Sequence, residues 1–301
     1  MVILIIVLVI FLITFLLGEL AFYRSFSIHK RTEEEAYEYL TRKKLLDKDI
    51  YDEVEFEEVE IESFDKLILK GFYVEGKSKN KYIILVHGFK DNHHVQMPFV
   101  RMFLKEGFNV LLVDERSHGD SEGKYPTYGY YEKLDLDRWI EYLYNRNDNK
   151  DIILGLHGVS MGAATVLICG SNNDKVNFII EDCGYSDCTE EMLFQIGKAV
   201  KGFKIFVYIA LKIKAKLRAK INISNIKPIE EIKKTSKPIL FIHGDKDTVV
   251  PCNMAIDMYN SHNNLNDRLL IVKGAEHICS YAVDRKKYEK EVHAFIQQCI
   301  N

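Results

Sequence analysis

The five residues Gly158-Val159-Ser160-Met161-Gly162 constrain this chain more than any other stretch. They join an apolar run, Ile152-Ile153-Leu154-Gly155-Leu156, to the small, helix-forming Ala163-Ala164-Thr165-Val166-Leu167. Strand, sharp turn and helix in that order frame a nucleophile elbow, whose strained backbone needs small residues on either side of the serine. Ser160 is therefore the candidate nucleophile. In a chain with 17 glycines an ordinary glycine-rich strand-to-helix turn could look the same, so the remaining machinery must be sought elsewhere in the sequence.

A serine hydroxyl is a poor nucleophile without a base. Downstream, the strand-like run Pro238-Ile239-Leu240-Phe241-Ile242 leads into His243-Gly244-Asp245-Lys246-Asp247-Thr248-Val249-Val250-Pro251, which sets a carboxylate just past a strand end. Asp247 is the expected orienting acid. A further run, Leu269-Leu270-Ile271-Val272, is followed by Lys273-Gly274-Ala275-Glu276-His277, and His277 is the expected general base. The order serine, acid, histidine is that of the α/β-hydrolase arrangement. Upstream, Tyr82-Ile83-Ile84-Leu85-Val86 ends in His87-Gly88-Phe89, where an early strand gives way to a loop. Such sites hold the developing oxyanion with two backbone N–H groups, here those of Phe89 and Met161.

These pieces carry a family resemblance. Val86-His87-Gly88, Asp114-Glu115-Arg116-Ser117-His118-Gly119-Asp120-Ser121-Glu122-Gly123, the serine pentapeptide, His243 to Pro251 and Gly274-Ala275-Glu276-His277 follow one another over the stretch from about Ile50 to the C-terminus. Together they resemble the α/β-hydrolase superfamily, specifically the bacterial membrane-anchored serine hydrolases related to the serine aminopeptidase S33 and BEM46-like groups. The resemblance implies an esterase-like serine hydrolase. It also selects Asp247 over Asp245, because the family's acid stands immediately before the x-Val-Val-Pro segment; Asp245 is left to hold its own turn. His87, His118 and His157 lie near motif strand ends and are expected to be structural, and His93 and His94 either line the pocket or sit on a solvated loop.

The rest of the chain fits an α/β fold with a mostly parallel central sheet and helices on both faces. Val54 to Glu62 and Lys66 to Val74 are expected as antiparallel N-terminal strands, after which apolar runs alternate with helical stretches joined by right-handed crossovers. A helix is expected from about Glu132 to Arg146, with Trp139 as a packing anchor. The interval from about 184 to 236 is too long for a simple crossover and is expected to be a small helical cap. It contains Phe203-Lys204-Ile205-Phe206-Val207-Tyr208-Ile209-Ala210-Leu211 running into Lys212, Lys214, Lys216, Arg218 and Lys220. That pattern suits either lipid or acyl chains near a membrane surface, or a cap helix that buries one face and solvates its lysines.

Val2 to Leu17 carries no charge, and Glu19 is the first acidic residue, so residues 1–23 are long enough to cross a bilayer as a retained anchor. Residues 24–50 are expected as a charged helical connector and 51–301 as the hydrolase domain. Basic residues follow the apolar segment (Arg24, Lys30, Arg31, Arg42, Lys43, Lys44), which leans towards a cytoplasmic catalytic domain at the cell membrane. A formal net charge of -3 gives no reason to expect nucleic acid. Six cysteines without CxxC or zinc-ligand spacing suggest isolated thiols, with Cys183 and Cys188 able to pair in an exported protein. No metal or organic cofactor is called for, because the three side chains and two amides supply nucleophile, base and oxyanion stabilisation. The expected substrate is a small ester or lipid-like molecule. A peptidase acting on short peptides, and a non-catalytic membrane-tethered binding module on the same fold, are the alternatives.

Overall fold

The apolar runs become the strands of one sheet in the computed structural model, which describes residues 1–46, 48–148 and 151–300. The strands are β1 (Glu57–Glu62), β2 (Ile68–Val74), β3 (Lys81–Val86), β4 (Asn109–Val113), β5 (Ile153–Val159), β6 (Phe178–Asp182), β7 (Ile239–Gly244) and β8 (Arg268–Val272). Their order across the sheet is β1-β2-β4-β3-β5-β6-β7-β8. β1 and β2 form an antiparallel hairpin, β2 runs antiparallel to β4, and every other pairing is parallel. This is the α/β-hydrolase fold that the sequence leads one to expect.

The period of two along the central strands divides the core. Ile83 and Leu85 of β3 and Val110 and Leu112 of β4 face one layer, while Ile84, Val86, Leu111 and Val113 face the other. The first layer is covered by α4 (His93–Lys105), the short α11 (Ser280–Val283) and α12 (Arg285–Ile300), the second by α5 (Glu132–Arg146), α6 (Met161–Asn172) and α10 (Asn253–Ser261). Trp139 is buried in the second layer, where a Cβ at Gly71 would stand 2.8 Å from its ring. Burial on both faces explains why these strands are nearly all apolar rather than alternating.

Residues before β1 join the same body. α2 (Glu33–Arg42) begins with a capping box between Thr32 and Glu35, and α3 is Lys48–Glu53. Ala36, Leu40, Leu45 and Ile50 are buried in the first layer against α4. The stretch expected as a charged connector is amphipathic: most of its described charged residues face water, Arg31 turns inward to Asp91, and four apolar residues extend the core.

Between β6 and β7 the chain inserts α7 (Cys188–Ala199), α8 (Lys204–Lys214, continued by a π-helical turn at Ala215–Ala219) and the short α9 (Pro228–Ile232). Met192, Ile196, Val207, Tyr208 and Leu211 from this insertion share a third apolar cluster with Tyr128 and Met161. Phe22 and Phe26 of the N-terminal helix α1 (Val2–Phe26) belong to the same cluster. α1 is long and apolar enough to cross a membrane. Gly18, Phe22 and Phe26, four residues apart, are buried, whereas the turns before Gly18 stand almost wholly exposed.

Candidate active site

Parallel register brings five strand ends to one edge. Val86 pairs with Gly158, Val159 with Asp182, Asp182 with Ile242, and Gly244 with Val272, so β3, β5, β6, β7 and β8 end side by side. The residue after β5 is Ser160, held at φ 56° and ψ -115°, a region costly for a side-chain-bearing residue. Its N–H donates to the Asp182 carbonyl at 2.8 Å. The flanking glycines are dictated by space: a Cβ at Gly158 would lie 2.3 Å from the Gly162 oxygen, and one at Gly162 2.3 Å from the Val86 oxygen. The serine is thus lifted off the sheet at the start of α6.

Three side chains form an unbroken row there. The Ser160 hydroxyl lies 2.9 Å from His277 Nε2, and His277 Nδ1 lies 2.6 Å from Asp247 Oδ2. The other Asp247 oxygen accepts from the N–H groups of Val249 and Val250 at 2.7 and 2.9 Å, which orients the carboxylate. Burial works against the Asp247 charge, yet the hydrogen bonds from His243 and His277 outweigh it and hold the carboxyl well below its usual range. Asp245 points elsewhere, accepting from the Gly274 N–H at 2.6 Å and fixing the loop after β8.

The loop after β3 approaches the serine closely: a Cβ at Gly88 would stand 3.2 Å from Ser160 Cβ. Among the described residues neither the Phe89 N–H nor the Met161 N–H, at the first helical position of α6, has an acceptor. The Phe89 ring stacks on Tyr128 at 5.5 Å and meets His118 edge-on. Under this loop, buried Asp91 pairs with Arg31 at 2.6 Å; burial raises its carboxyl to about 7 despite the guanidinium. Arg31 comes from the segment ahead of α2, so the N-terminal region supports the loop from below.

His243, at the end of β7, has a contact that its place in the sequence motif does not single out. It lies 3.2 Å from Asp247 Oδ2 and donates to the Val250 carbonyl at 3.0 Å, so two histidines share one carboxylate. Its own burial opposes charging, but Asp247 and the Glu181 charge push its pKa up. Glu181 and Asp182, at the end of β6, are buried as well, and desolvation raises them to about 8 and about 7. The i, i+4 spacing of His243 and Asp247 was the available sequence signal for this second contact.

The other histidines take supporting positions. His87 donates to the Gly88 carbonyl at 2.8 Å and accepts from the Glu115 N–H at 3.0 Å. His118 and His157 are buried, and desolvation lowers each to about 3. His93 is neither solvated nor a pocket wall: it is buried in the first turn of α4, bonded to Asp114 at 3.0 Å and stacked on Phe72. All six cysteines are unpaired. Donor atoms of Cys183, Asp247 and His277 fall within 4.8 Å of one another. Desolvation keeps the Cys183 thiol protonated, and the other two already bond each other, a donor set that suits the hydrogen-bonded row better than an ion.

Comparison with known proteins bears on the family and the fold. A family model described as the prolyl oligopeptidase family matches residues 97–301. The uncharacterised protein YqkD of Bacillus subtilis is 32% identical over 233 residues, which cover 76% of this chain and 75% of that protein. Thiohydrolase aneE of Aspergillus aculeatus is 30% identical over 152 residues, 47% of this chain and 46% of its own. Among solved structures, the esterase Pf2001 of Pyrococcus furiosus superposes with a TM-score of 0.68 at 27% identity, covering 84% of this chain and 94% of that one.

Proposed function

Because the chain belongs to the prolyl oligopeptidase family and is an α/β-hydrolase-fold hydrolase, we propose that it cleaves carboxylic esters, lipid or acyl-chain esters foremost, through Ser160, His277 and Asp247. The observation that carries the reading is the continuous Ser160–His277–Asp247 row at a strained turn. His277 Nε2 takes the hydroxyl proton as Ser160 Oγ attacks the carbonyl carbon, and Asp247 stabilises the imidazolium that forms. The N–H groups of Met161 and Phe89 receive the oxyanion; in comparable sites one such donor is worth about 3 kcal/mol. As the tetrahedral species collapses, His277 returns the proton to the leaving alkoxide. Water, deprotonated by the same imidazole, then releases the acid and restores Ser160. No step needs a metal or organic cofactor.

The same chemistry suits a thioester, a reading favoured by the thiohydrolase relative, and a short peptide, favoured by the matched family's name. The membrane reading rests on α1, which we propose is a retained single-pass anchor rather than a cleaved leader. Its removal would strip Phe22 and Phe26 from the apolar cluster beside Met161 and leave Tyr125 and Tyr128 bare. The basic flank from Arg24 onward supports a cytoplasmic catalytic domain at the cell membrane. The helices between β6 and β7 serve as a cap over the serine.

A fluorophosphonate probe on the full-length, detergent-solubilised chain tests the reading. Labelling that vanishes in Ser160→Ala and His277→Ala supports an activated serine. Folded wild-type protein that stays unlabelled would move the assignment to a membrane-tethered binding module.

A further inference from the structure

Helix α8 has two apolar faces, and the protein covers only one. Val207, Tyr208, Leu211 and Ala215 are buried against the body of the protein. On the other side Phe206, Ile209, Ile213 and Leu217 form a stripe at i, i+3, i+7 and i+11, exposed by 55%, 48%, 53% and 65%. A soluble surface helix places charge on its outer face. Here lysines stand at the two ends of the stripe instead: Lys201 and Lys204 before it and Lys216 and Lys220 at its far end are exposed and, among the described residues, enter no ion pair.

What lies beside the stripe identifies its occupant. α8 crosses α1 at Gly18, where an added Cβ would fall 2.5 Å from Ala210 Cβ, so the two helices touch almost backbone to backbone. Glu19 fastens the crossing, bonded to Lys214 at 2.6 Å and to Arg218 at 2.8 and 2.9 Å. Towards the N-terminus of α1, Phe11, Thr14 and Phe15 face Phe206, Ile209 and Ile213 across an open cleft of about 470 Å³. The uncovered face of α8 is therefore continuous with the uncharged, exposed turns of α1. From Glu19 back to Val2 that segment extends about 26 Å at 1.5 Å per residue, close to the thickness of a hydrocarbon core. Phe11 lies about 12 Å from Glu19 along the same axis, so a bilayer that accommodates α1 also takes in the stripe.

We propose that α8 is an in-plane membrane helix, immersed beside α1 in an anionic leaflet with its apolar stripe among the upper acyl chains and its flanking lysines at the lipid phosphates. The inference rests on the reading of α1 as an anchor. It makes the cap a second attachment point, so the catalytic domain is held against the bilayer in one orientation rather than swinging on a tether. Basic residues edging an apolar face are the composition of helices that lie at an anionic interface.

The test uses the full-length protein in vesicles of zwitterionic and anionic phospholipid whose acyl chains are brominated near the headgroup, a quencher of tryptophan. The native Trp139 is buried and serves as a constant background. Ile213→Trp reports on α8, Leu12→Trp on α1, and Leu265→Trp, fully exposed on the loop before β8 at the opposite end of the sheet, on bulk water. We expect emission from Ile213→Trp to move to the blue and to be quenched at least about twofold, as is that from Leu12→Trp, with Leu265→Trp unaffected. Quenching of Leu12→Trp without quenching of Ile213→Trp would keep the anchor and overturn the docked helix. Absence of both would overturn the anchor and the docked helix with it. A blue-shifted, unquenched Ile213→Trp whose emission reverts when protein is diluted in lipid would assign the stripe to a second copy of the chain and equally overturn the proposal.

Discussion

Asp247→Asn isolates the electrostatic part of the proposed mechanism. The substitution keeps an oxygen for the Val249 and Val250 N–H groups, so the loop retains its anchoring bonds while the charge facing His277 and His243 is lost. The Asp247 side chain has no exposed surface and that of His277 is 13% exposed, so solvent screens their interaction little. With the imidazolium and carboxylate centres roughly 4 Å apart and an effective dielectric constant near 20, the attraction lost when His277 charges is about 4 kcal/mol. At about 1.4 kcal/mol per decade this lowers kcat roughly a thousandfold, and more if the amide also locks His277 in the tautomer whose Nε2 bears a proton. The assay is hydrolysis of a chromogenic short-chain ester, with fluorophosphonate labelling rates in parallel and Tm as the control for folding. Asp245→Asn, which alters only the bond to the Gly274 N–H, should remain within about tenfold of wild type. The reasoning fails if Asp247→Asn keeps more than about a tenth of wild-type kcat, or if Asp245→Asn loses as much.

Three further outcomes follow from the geometry. Gly162→Ala sets a methyl 2.3 Å from the Val86 carbonyl and 2.5 Å from that of His87, backbone that cannot rotate aside, so chemical denaturation should show a loss of roughly 1–3 kcal/mol together with slower probe labelling. Arg31→Ala strands the buried Asp91 beneath the loop after β3; a loss of roughly 3 kcal/mol is expected in urea unfolding, largely recovered in Arg31→Ala/Asp91→Asn. Glu181 is raised from 4.5 to about 8, chiefly by desolvation, so the stability it contributes is present below about pH 4.5 and is lost as pH rises through about 8. Glu181→Gln should match wild-type Tm near pH 4 and exceed it near pH 9, and equal Tm values at both ends would contradict the assignment.

The sheet and the candidate site residues were legible because their causes are local. A buried parallel strand must be a short apolar run, and an elbow must have glycines where carbonyls come within 2.3 Å, so β5, Ser160 and α6 followed from the stretch Ile152 to Leu167. His277 and Asp247 were legible through their order and their position after strands. Features that depend on distant partners left weaker marks. His243 shares Asp247 only because β7 and the following turn bring both to the same point, and in sequence it looked like one more histidine at a strand end. Ala36, Leu40, Leu45 and Ile50 lie among lysines and glutamates, and the charge concealed an apolar face that needs α4 for its meaning. His93 belongs with Asp114, twenty-one residues away, and the turn that joins them has no short-range signature. The crossing of Gly18 with Ala210 spans most of the chain; a glycine followed by the one acid of α1 was its single trace.

The join between α1 and the loop that carries Tyr128 has a practical side. The Tyr128 hydroxyl donates to the Ser25 carbonyl, Phe26 meets the Tyr128 ring edge-on, and that ring stacks in turn on Phe89. The last turn of α1 thereby backs the ring that packs on Phe89, in the loop whose Gly88 approaches Ser160. Trimming the chain through this helix to obtain a more tractable fragment would do more than remove the proposed anchor. Such a fragment would expose a sticky aromatic scar prone to self-association, and kinetic constants measured on it would describe a remodelled chamber rather than the native one.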